Sequence, residues 1–309
     1  MMAATGGASR SGHWARAVAT RVLPLPVLFL GSTLLVFALA RAHDSGAEPD
    51  GGFVAAYSGY LGRLASMDFG VSTRLQPGIP VAELAGNGLA LSLGLVGGAL
   101  LASTLAGFAW AWRASRRPDP TGPGPWGTLL LLASAAPVFV IAYVARDLVN
   151  PVVASLAERG LIESPRPYLV GMGAGPVQFV VAALTLGLGD AFLAHLAFTF
   201  KDEAAAVRSK DFVHAAWMNG GPVSRHVLRN LAVPVLATLS ARLPALLGGA
   251  VVVETAYSLN GAGRILWKAA IEGDVDVLMA VTVLLTGLVF AMRLIVEVVT
   301  LVLDPRLSR

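Results

Sequence analysis

The apolar residues of this chain are collected into six long runs that are separated by polar segments. The runs lie at about residues 22–40, 89–112, 127–144, 176–200, 234–253 and 277–303. A helix needs about 20 predominantly apolar residues to cross a bilayer. The pattern therefore predicts an all-α polytopic membrane protein with six transmembrane helices. It also predicts a single transmembrane domain, residues 22–309, preceded by a short segment, residues 1–21.

The first run ends in the letters ALARAHD, which resemble a signal-peptidase site after Ala40. The apolar core of a cleaved signal peptide is usually about 7–15 residues long. This run is longer, which favours a retained helix, although the sequence alone leaves both interpretations open.

Composition supports the membrane class. Charged residues make up 14% of the 309 residues and hydrophobic residues 55%, whereas a soluble domain carries about 25% charge. The formal net charge of +4 would suit a nucleic-acid partner. However, the basic residues lie beside apolar runs and not on one polar face, so no nucleic-acid partner is predicted. The chain has no cysteine, which excludes disulfides and thiolate metal sites.

The distribution of Lys and Arg predicts the orientation, because cytoplasmic segments carry an excess of these residues. With both termini inside, thirteen Lys and Arg residues fall in inside segments and eight in outside segments. We therefore expect an N-in, C-in topology, with residues 201–233 forming a cytoplasmic loop, called here the central loop.

The central loop has a helical pattern of its own. Gly220-Gly221-Pro222 predicts a sharp turn, and Pro222 suits the first position of a helix. Val223, Val227 and Leu231 then recur at helical spacing, with Arg225 and Arg229 on a neighbouring face. Such a helix either docks its apolar face in a groove of a partner protein or lies on the lipid surface. The pattern by itself does not decide between these two roles.

Signatures of catalysis and of cofactor binding are missing from the sequence. It has no Walker A motif and no HExxH motif, and its five histidines show no metal spacing. Gly261-Ala262-Gly263 lacks the strand-to-helix setting of a dinucleotide site, so we interpret it as a turn. We expect a non-catalytic chain without a cofactor.

Three separated motifs, in the same order, resemble the membrane permeases of dipeptide, oligopeptide and nickel-type ABC importers. The stretch LLGGAVVVETAYSLNGAGRIL, followed by a last span and DPRL, is similar to that family's fifth helix, outer connector and terminus. DFGVSTRLQPGIPVAEL is similar to the stretch after its first helix. The central loop resembles the family's ATPase-docking segment in Asp211-Phe212-Val213, Ala215-Ala216, Gly220, Arg229-Asn230 and Pro234.

The resemblance implies a type I ABC importer permease fold in the bacterial inner membrane. It implies a second permease subunit, identical or homologous, P-loop ABC ATPase subunits in the cytoplasm and an extracytoplasmic solute-binding protein. The chain would then act without chemistry, by ATPase-driven alternating access. The residues expected to dock the ATPase are Ala215, Ala216, Trp217, Met218, Asn219, Gly220, Gly221, Pro222, Arg225 and Arg229.

The sequence also departs from the family's pattern. Trp217-Met218-Asn219 stands where the family usually has basic residues, and the spacing from Gly220 to Pro234 is about one helical turn shorter. Asp276 and Met279 replace an aromatic-Pro pair and a Gln after the outer connector. We therefore expect a divergent member, whose docking surface is more apolar than usual.

Three ionisable residues are candidates for a solute path: Arg242, Asp190 and Glu254. Ionisable groups at bilayer depth are costly and tend to face a cavity or a partner. Arg242 would either meet an anionic group of the solute or form a structural pair with Asp190 or another acidic residue. Asp190 and His195 are five residues apart, about 140° around a continuous helix, so we do not expect them to pair.

Two other functions stay open on the sequence alone. An ATP-independent secondary transporter or channel would act without an ATPase, with Asp190 and His195 as a proton relay. A structural subunit of a membrane complex would not transport at all. Recovery of an ATPase with the chain separates the first hypothesis from both.

Overall fold

The computed structural model describes residues 24–43, 52–114, 124–161, 176–220 and 223–303. Eleven α-helices follow one another in these ranges. They are α1 Pro24–His43, α2 Gly52–Ala65, α3 Val81–Ala114, α4 Gly124–Ser134, α5 Val138–Glu158, α6 Pro176–Leu188, α7 Phe192–Arg208, α8 Asp211–Met218, α9 Val223–Ala256, α10 Ala262–Glu272 and α11 Val275–Leu303. The same ranges contain one isolated β-bridge, between Val71 and Pro80, and no strand.

Five helical segments in the described ranges are long and apolar enough to cross a bilayer. They are Val81–Ala114, Val138–Glu158, Pro176–Arg208, Pro234–Ala256 and Val275–Thr300. A shorter apolar helical segment covers Pro26–Ala42. These six segments correspond to the six predicted runs and confirm the all-α membrane class. The predicted segment 1–21 lies outside the described residues.

The predicted bounds of the third span, 127–144, are wrong. Helix α4 ends at Ser134, and α5 begins at Val138 and continues to Glu158. Pro137 causes the division, because it has an extended backbone (φ −58°, ψ 148°) and a proline disfavours helical geometry in the residue before it. Arg146 and Asp147, assigned from the sequence to an outer loop, therefore lie inside a helix of membrane-spanning length.

The fourth span, predicted as one helix over 176–200, is interrupted and longer. A short 3-10 turn, Gly189–Ala191, separates α6 from α7. Asp190 and Ala191 both have left-handed backbone angles, with φ 49° and 61°. The angle of 140° between Asp190 and His195 assumed a continuous helix and does not apply.

The chain divides into two compact units, and the first combines Met1–Ala85 with Ala269–Arg309. In this unit α11 packs against α1. Its buried core brings together residues of α1, α2 and α11, namely Phe37, Ala40, Tyr60, Met279 and Val283. The Phe37 ring packs on the Tyr60 ring with their centroids 5.3 Å apart.

The second unit is Gly86–Lys268. Helix α9 packs against α5, α6 and α7, and α5 packs against α6. The most buried large side chains of its core include Leu95, Leu186, Leu196, Phe200 and Tyr257. The unit therefore surrounds α9 with the third and fourth spans, and it contains most of the predicted site residues.

Candidate functional site

Helix α8 is a separate short element between two long helices. It starts after Lys210, whose backbone is extended, and carries Asp211 in its first turn, where a negative charge is favourable. It ends at Met218, and Gly220 then adopts φ 68°, a left-handed angle that suits the turn predicted there. Gly221 and Pro222 lie outside the described residues.

One side of α8 is attached to the rest of the chain. Val213 is buried in a small apolar cluster with residues from the end of α7 and the start of α9. Its other members are Ala204, Val207, Val227 and Leu231. The short helix is therefore held by both of its long neighbours.

Three large apolar side chains of α8 are exposed. The exposed fraction is 69% for Trp217, 81% for Met218 and 46% for Phe212. These three residues are called the docking face below. Ala215 and Asn219 are also exposed, and Ala216 is half-buried.

The predicted docking of Val223, Val227 and Leu231 in a partner is wrong for the two residues that the structure describes. Val227 is 0% and Leu231 3% exposed, because both pack inside the chain in the cluster with Val213. Helix α9 is moreover continuous from the central loop through the fifth span. The side chains of Arg225 and Arg229 lie outside the described residues.

Glu254 is fully buried at the C-terminal end of α9. One carboxylate oxygen accepts a hydrogen bond from the Ser92 hydroxyl at 2.5 Å, and the other accepts the Arg264 amide at 3.1 Å. The Gly263 amide also donates to this carboxylate. The Ser92 oxygen in turn accepts the Ala262 amide at 2.9 Å. Glu254 and Ser92 together therefore cap the N-terminus of α10.

The two glycines of the predicted turn make room for this carboxylate. A Cβ at Gly261 would collide with the Glu254 carboxylate, and a Cβ at Gly263 would lie 2.6 Å from the Val251 Cα. Both oxygens of Glu254 are occupied and the side chain is closed off. The geometry corrects the expectation that Glu254 lines a solute path and assigns it a structural role.

Asp190 joins the two interrupted spans. Its carboxylate accepts the Val138 amide, the first of α5, at 3.1 Å. The neighbouring Gly189 lies so close to α5 that a Cβ there would meet Val138 Cβ at 2.7 Å. Asp190 is nevertheless exposed, so one part of its carboxylate caps a helix while the rest is accessible.

Arg242 is half-buried near the middle of α9. Within the described ranges no carboxylate lies within 4.0 Å of its guanidinium, so the alternative of a pair with Asp190 is not found. Arg242 is close enough to His195, on α7, for their charges to interact. Nothing in the sequence connected these two basic groups, because they lie on different predicted spans.

Asp274 is a buried polar residue that sequence reasoning missed. One of its oxygens accepts the Ser72 hydroxyl at 2.7 Å and the amides of Thr73, Arg74 and Leu75 at 3.0–3.1 Å. An Asp just before an apolar run indicates the start of a helix, because Asp is a preferred residue at that position. Its partners, about 200 residues earlier in the chain, carried no such signal.

These contacts determine the charge of Asp274. Burial raises the pKa of its carboxyl, but the hydrogen bonds from the Arg74 amide, the Ser72 hydroxyl and the Leu75 amide outweigh burial. The pKa therefore lies below its ordinary value of 3.8. The charged carboxylate holds the loop that precedes α3.

Comparison with known proteins gives a family for this architecture. The family model described as binding-protein-dependent transport system inner membrane component matches residues 103–309, which include the docking face, Glu254 and α5.

Individual relatives have low identity but long coverage. A probable peptide ABC transporter permease protein of Sinorhizobium fredii, y4tP, is 24% identical over 74% of this chain and 73% of its own length. The oligopeptide transport system permease protein OppB of Salmonella typhimurium is 24% identical over 81% of this chain and 79% of its own. The dipeptide transport system permease protein DppB of Bacillus subtilis is 22% identical over 84% and 80%.

Proposed function

The chain belongs to the family of inner membrane components of binding-protein-dependent transport systems, and on that premise we propose that it is the permease subunit of an ABC importer for a peptide-like solute. A multi-pass location in the bacterial inner membrane follows from the same family and from the apolar helices. The named relatives are peptide systems, which favours a peptide over the nickel complex that the resemblance also admits.

The observation that carries the proposal is the docking face on α8. Trp217 and Met218 are adjacent in the sequence and are 69% and 81% exposed. An apolar patch on the surface of a segment outside the membrane marks a contact with a partner protein or with lipid. In the proposed N-in topology α8 lies in the cytoplasm, where a P-loop ATPase subunit covers the docking face. The apolar character of the face requires an apolar groove on that ATPase.

The attachment of α8 explains how ATPase movement would reach the membrane. Val213 packs between Val207 at the end of α7 and Val227 near the start of α9. Helix α9 has 34 residues, so about 40 Å of it extends beyond this cluster. A displacement of α8 therefore moves the inner ends of two spans together, which is the movement that alternating access needs. A second permease and an extracytoplasmic binding protein complete the proposed importer.

The experiment is to purify the tagged chain in mild detergent from its native membrane and to measure the amount of P-loop ATPase recovered with it. Trp217→Ala should lower the affinity by about 30-fold or more, because an anchoring aromatic side chain at an interface contributes roughly 2 kcal/mol or more. Trp126→Ala is the matched control, because Trp126 is 73% exposed in the same unit but far along the chain from α8.

Three results would contradict the proposal. One is a complex that survives Trp217→Ala unchanged. Another is an ATPase whose contact groove is acidic instead of apolar, which would show as strong salt dependence of binding. The third is transport by the chain in the absence of any ATPase, which would favour the secondary transporter.

A further inference from the structure

Helix α5 carries a line of polar residues that the proposed function does not use. Tyr143, Arg146, Asp147 and Asn150 recur at intervals of three and four along an otherwise apolar helix. Residues with this spacing lie on one side of a helix. These four residues are called the polar stripe. From the sequence, Tyr143 was predicted to lie at the end of the third span and Arg146, Asp147 and Asn150 in the outer segment that follows it.

The polar stripe lies in the middle of the helix. The 21 residues of α5 are about 32 Å long, close to the thickness of a bilayer core. The stripe extends about 10 Å along the helix axis near the midpoint of α5 and covers a sector of about 100° around that axis. Its charged groups are therefore as far from both ends of the helix as the span permits.

Lipid is an unsuitable neighbour for this sector. The Asp147 side chain is 67% exposed and the Arg146 side chain 26% exposed on the surface of the chain. A charged group at bilayer depth faces a protein partner or a water-filled cavity, because exposure to hydrocarbon costs several kcal/mol. Something polar therefore covers the stripe in the working protein.

The two charges of the stripe are paired in a geometry that leaves most of their capacity unused. Arg146 Nε donates to an Asp147 oxygen at 3.0 Å, although adjacent residues on a helix point in different directions. The guanidinium also lies over the Tyr143 ring, 4.9 Å from its centroid. Within the described residues, no other group donates to Asp147 and no other carboxylate approaches Arg146. An Arg side chain has five N–H donors and a carboxylate about four acceptor positions.

Buried polar groups lie in and beside the stripe. Asn150 Oδ1 is buried and has no hydrogen-bond partner among the described residues. Such a group in a native structure calls for a water molecule or a ligand. The Arg146 guanidinium is also near enough to the Tyr257 hydroxyl to act on it electrostatically, and that hydroxyl is 3.0 Å from Thr185 Oγ1.

We infer that the polar stripe lines the water-filled solute path and binds the two charged ends of a zwitterionic solute. This inference rests on the proposed function and names the site within it. Arg146 receives the solute carboxylate, for which the planar guanidinium offers two parallel N–H donors. Asp147 receives the solute ammonium group. The solute thereby replaces one poor internal pair by two intermolecular pairs, and the site stays electrically neutral in both states.

The first test measures which side of α5 meets water, and it does not depend on the identity of the solute. The chain has no cysteine, so a single substitution supplies its only thiol, and labelling is read on this chain after it is separated from its partners. Tyr143→Cys and Asp147→Cys test the stripe. Leu148→Cys and Val152→Cys are the matched controls, because these residues are 68% and 56% exposed on the opposite side of the same helix.

The assembled complex in membrane vesicles is treated with a charged methanethiosulfonate reagent. A thiol reacts as the thiolate, which forms in water and not in hydrocarbon. We expect the two stripe positions to be labelled at least tenfold faster than Leu148→Cys and Val152→Cys, and all four to be labelled after denaturation in detergent. Equal rates on both sides, or no labelling at the stripe in the assembled complex, would overturn the inference.

The second test measures whether uptake depends on the two charged ends of the solute. Uptake of trialanine by the complete importer is compared with uptake of its N-acetyl and C-amide forms. Asp147→Asn should reduce the preference for trialanine over its N-acetyl form about tenfold. Arg146→Gln should reduce the preference for trialanine over its C-amide form by a similar factor. Equal losses for all three peptides would indicate a purely structural role and overturn the site.

The outcomes also separate this inference from the proposed function. If the unchanged complex takes up none of the three peptides, the peptide class is refuted, and the labelling pattern still decides whether the stripe faces water. If peptides are taken up and no ATPase is recovered, the ABC importer is refuted and the stripe is not.

Discussion

Replacing Glu254 by alanine removes the cap of α10 and tests whether this residue is structural. The carboxylate accepts the Ser92 hydroxyl and the amides of Gly263 and Arg264, and the side chain is fully buried. Each buried donor left without a partner costs about 1–3 kcal/mol. Because water can enter part of the vacated space, we expect a total loss of about 3–5 kcal/mol in the free energy of unfolding.

Glu254→Gln should lower the free energy of unfolding much less, by roughly 1 kcal/mol. The side-chain oxygen of Gln can still accept the Gly263 and Arg264 amides. Its amide group would then donate to the Ser92 oxygen, because a hydroxyl has two acceptor lone pairs and can rotate its own hydrogen away. The order of stability is therefore wild type, Glu254→Gln and, well below both, Glu254→Ala.

The measurement is thermal unfolding of the purified chain in detergent, followed by tryptophan fluorescence. The Ala variant should unfold on the order of 10 °C below wild type. Glu272→Ala is the control, because Glu272 is an exposed residue of the same helix, α10. A Glu254→Ala protein that unfolds like wild type but changes its solute preference would refute the structural role and restore Glu254 to the solute path.

Two further variants probe the other contacts that join distant segments. Asp274→Asn should lower the free energy of unfolding by about 1–2 kcal/mol at pH 7. Thermal unfolding of this variant and of wild type, measured over a range of pH, should show where the difference disappears. Because the pKa of Asp274 is lowered in the folded chain, its contribution is complete above pH 3.8 and is lost as the pH falls through the lower folded value; a difference that grows in acid would refute this sign. Gly189→Ala should cost about 1–3 kcal/mol by overpacking against Val138, while Gly97→Ala, where a Cβ meets nothing within 4 Å, should be neutral or stabilising. Equal unfolding temperatures for the two glycine variants would contradict the close approach at Gly189.

The sequence predicted the number of apolar segments correctly and some of their bounds incorrectly. The six apolar runs of the sequence correspond to six apolar helical segments in the described ranges. The third span was misplaced because hydropathy counts the residues on both sides of Pro137 equally, whereas the backbone divides there. The interruption at Asp190 had only a weak signal in Gly187, Gly189 and Asp190, because Asp tolerates left-handed angles. Ala191 has no such preference, and contacts with α5 help to fix the interruption.

Within the central loop, the helix predicted to expose an apolar face is not the one that does so in the structure. The sequence predicted a docking helix after Pro222, with Val227 and Leu231 facing a partner. The structure places the exposed apolar surface on α8, before the turn, and buries Val227 and Leu231 in the chain. Helical periodicity shows that a face is apolar, but it cannot show whether the chain itself or another protein covers that face.

The sequence by itself determined the membrane class, the number of long apolar segments, the motifs of the family and the unusual apolar residues Trp217 and Met218. The tertiary structure decided which polar groups are structural and which are exposed. Glu254 became a cap only through Ser92, 162 residues away, and Asp147 is proposed for the solute path only because its side chain is left 67% exposed on α5. The physical reason is that side chains facing lipid and side chains facing the core are equally apolar, so the direction of each helix face depends on contacts between residues that are distant in the chain.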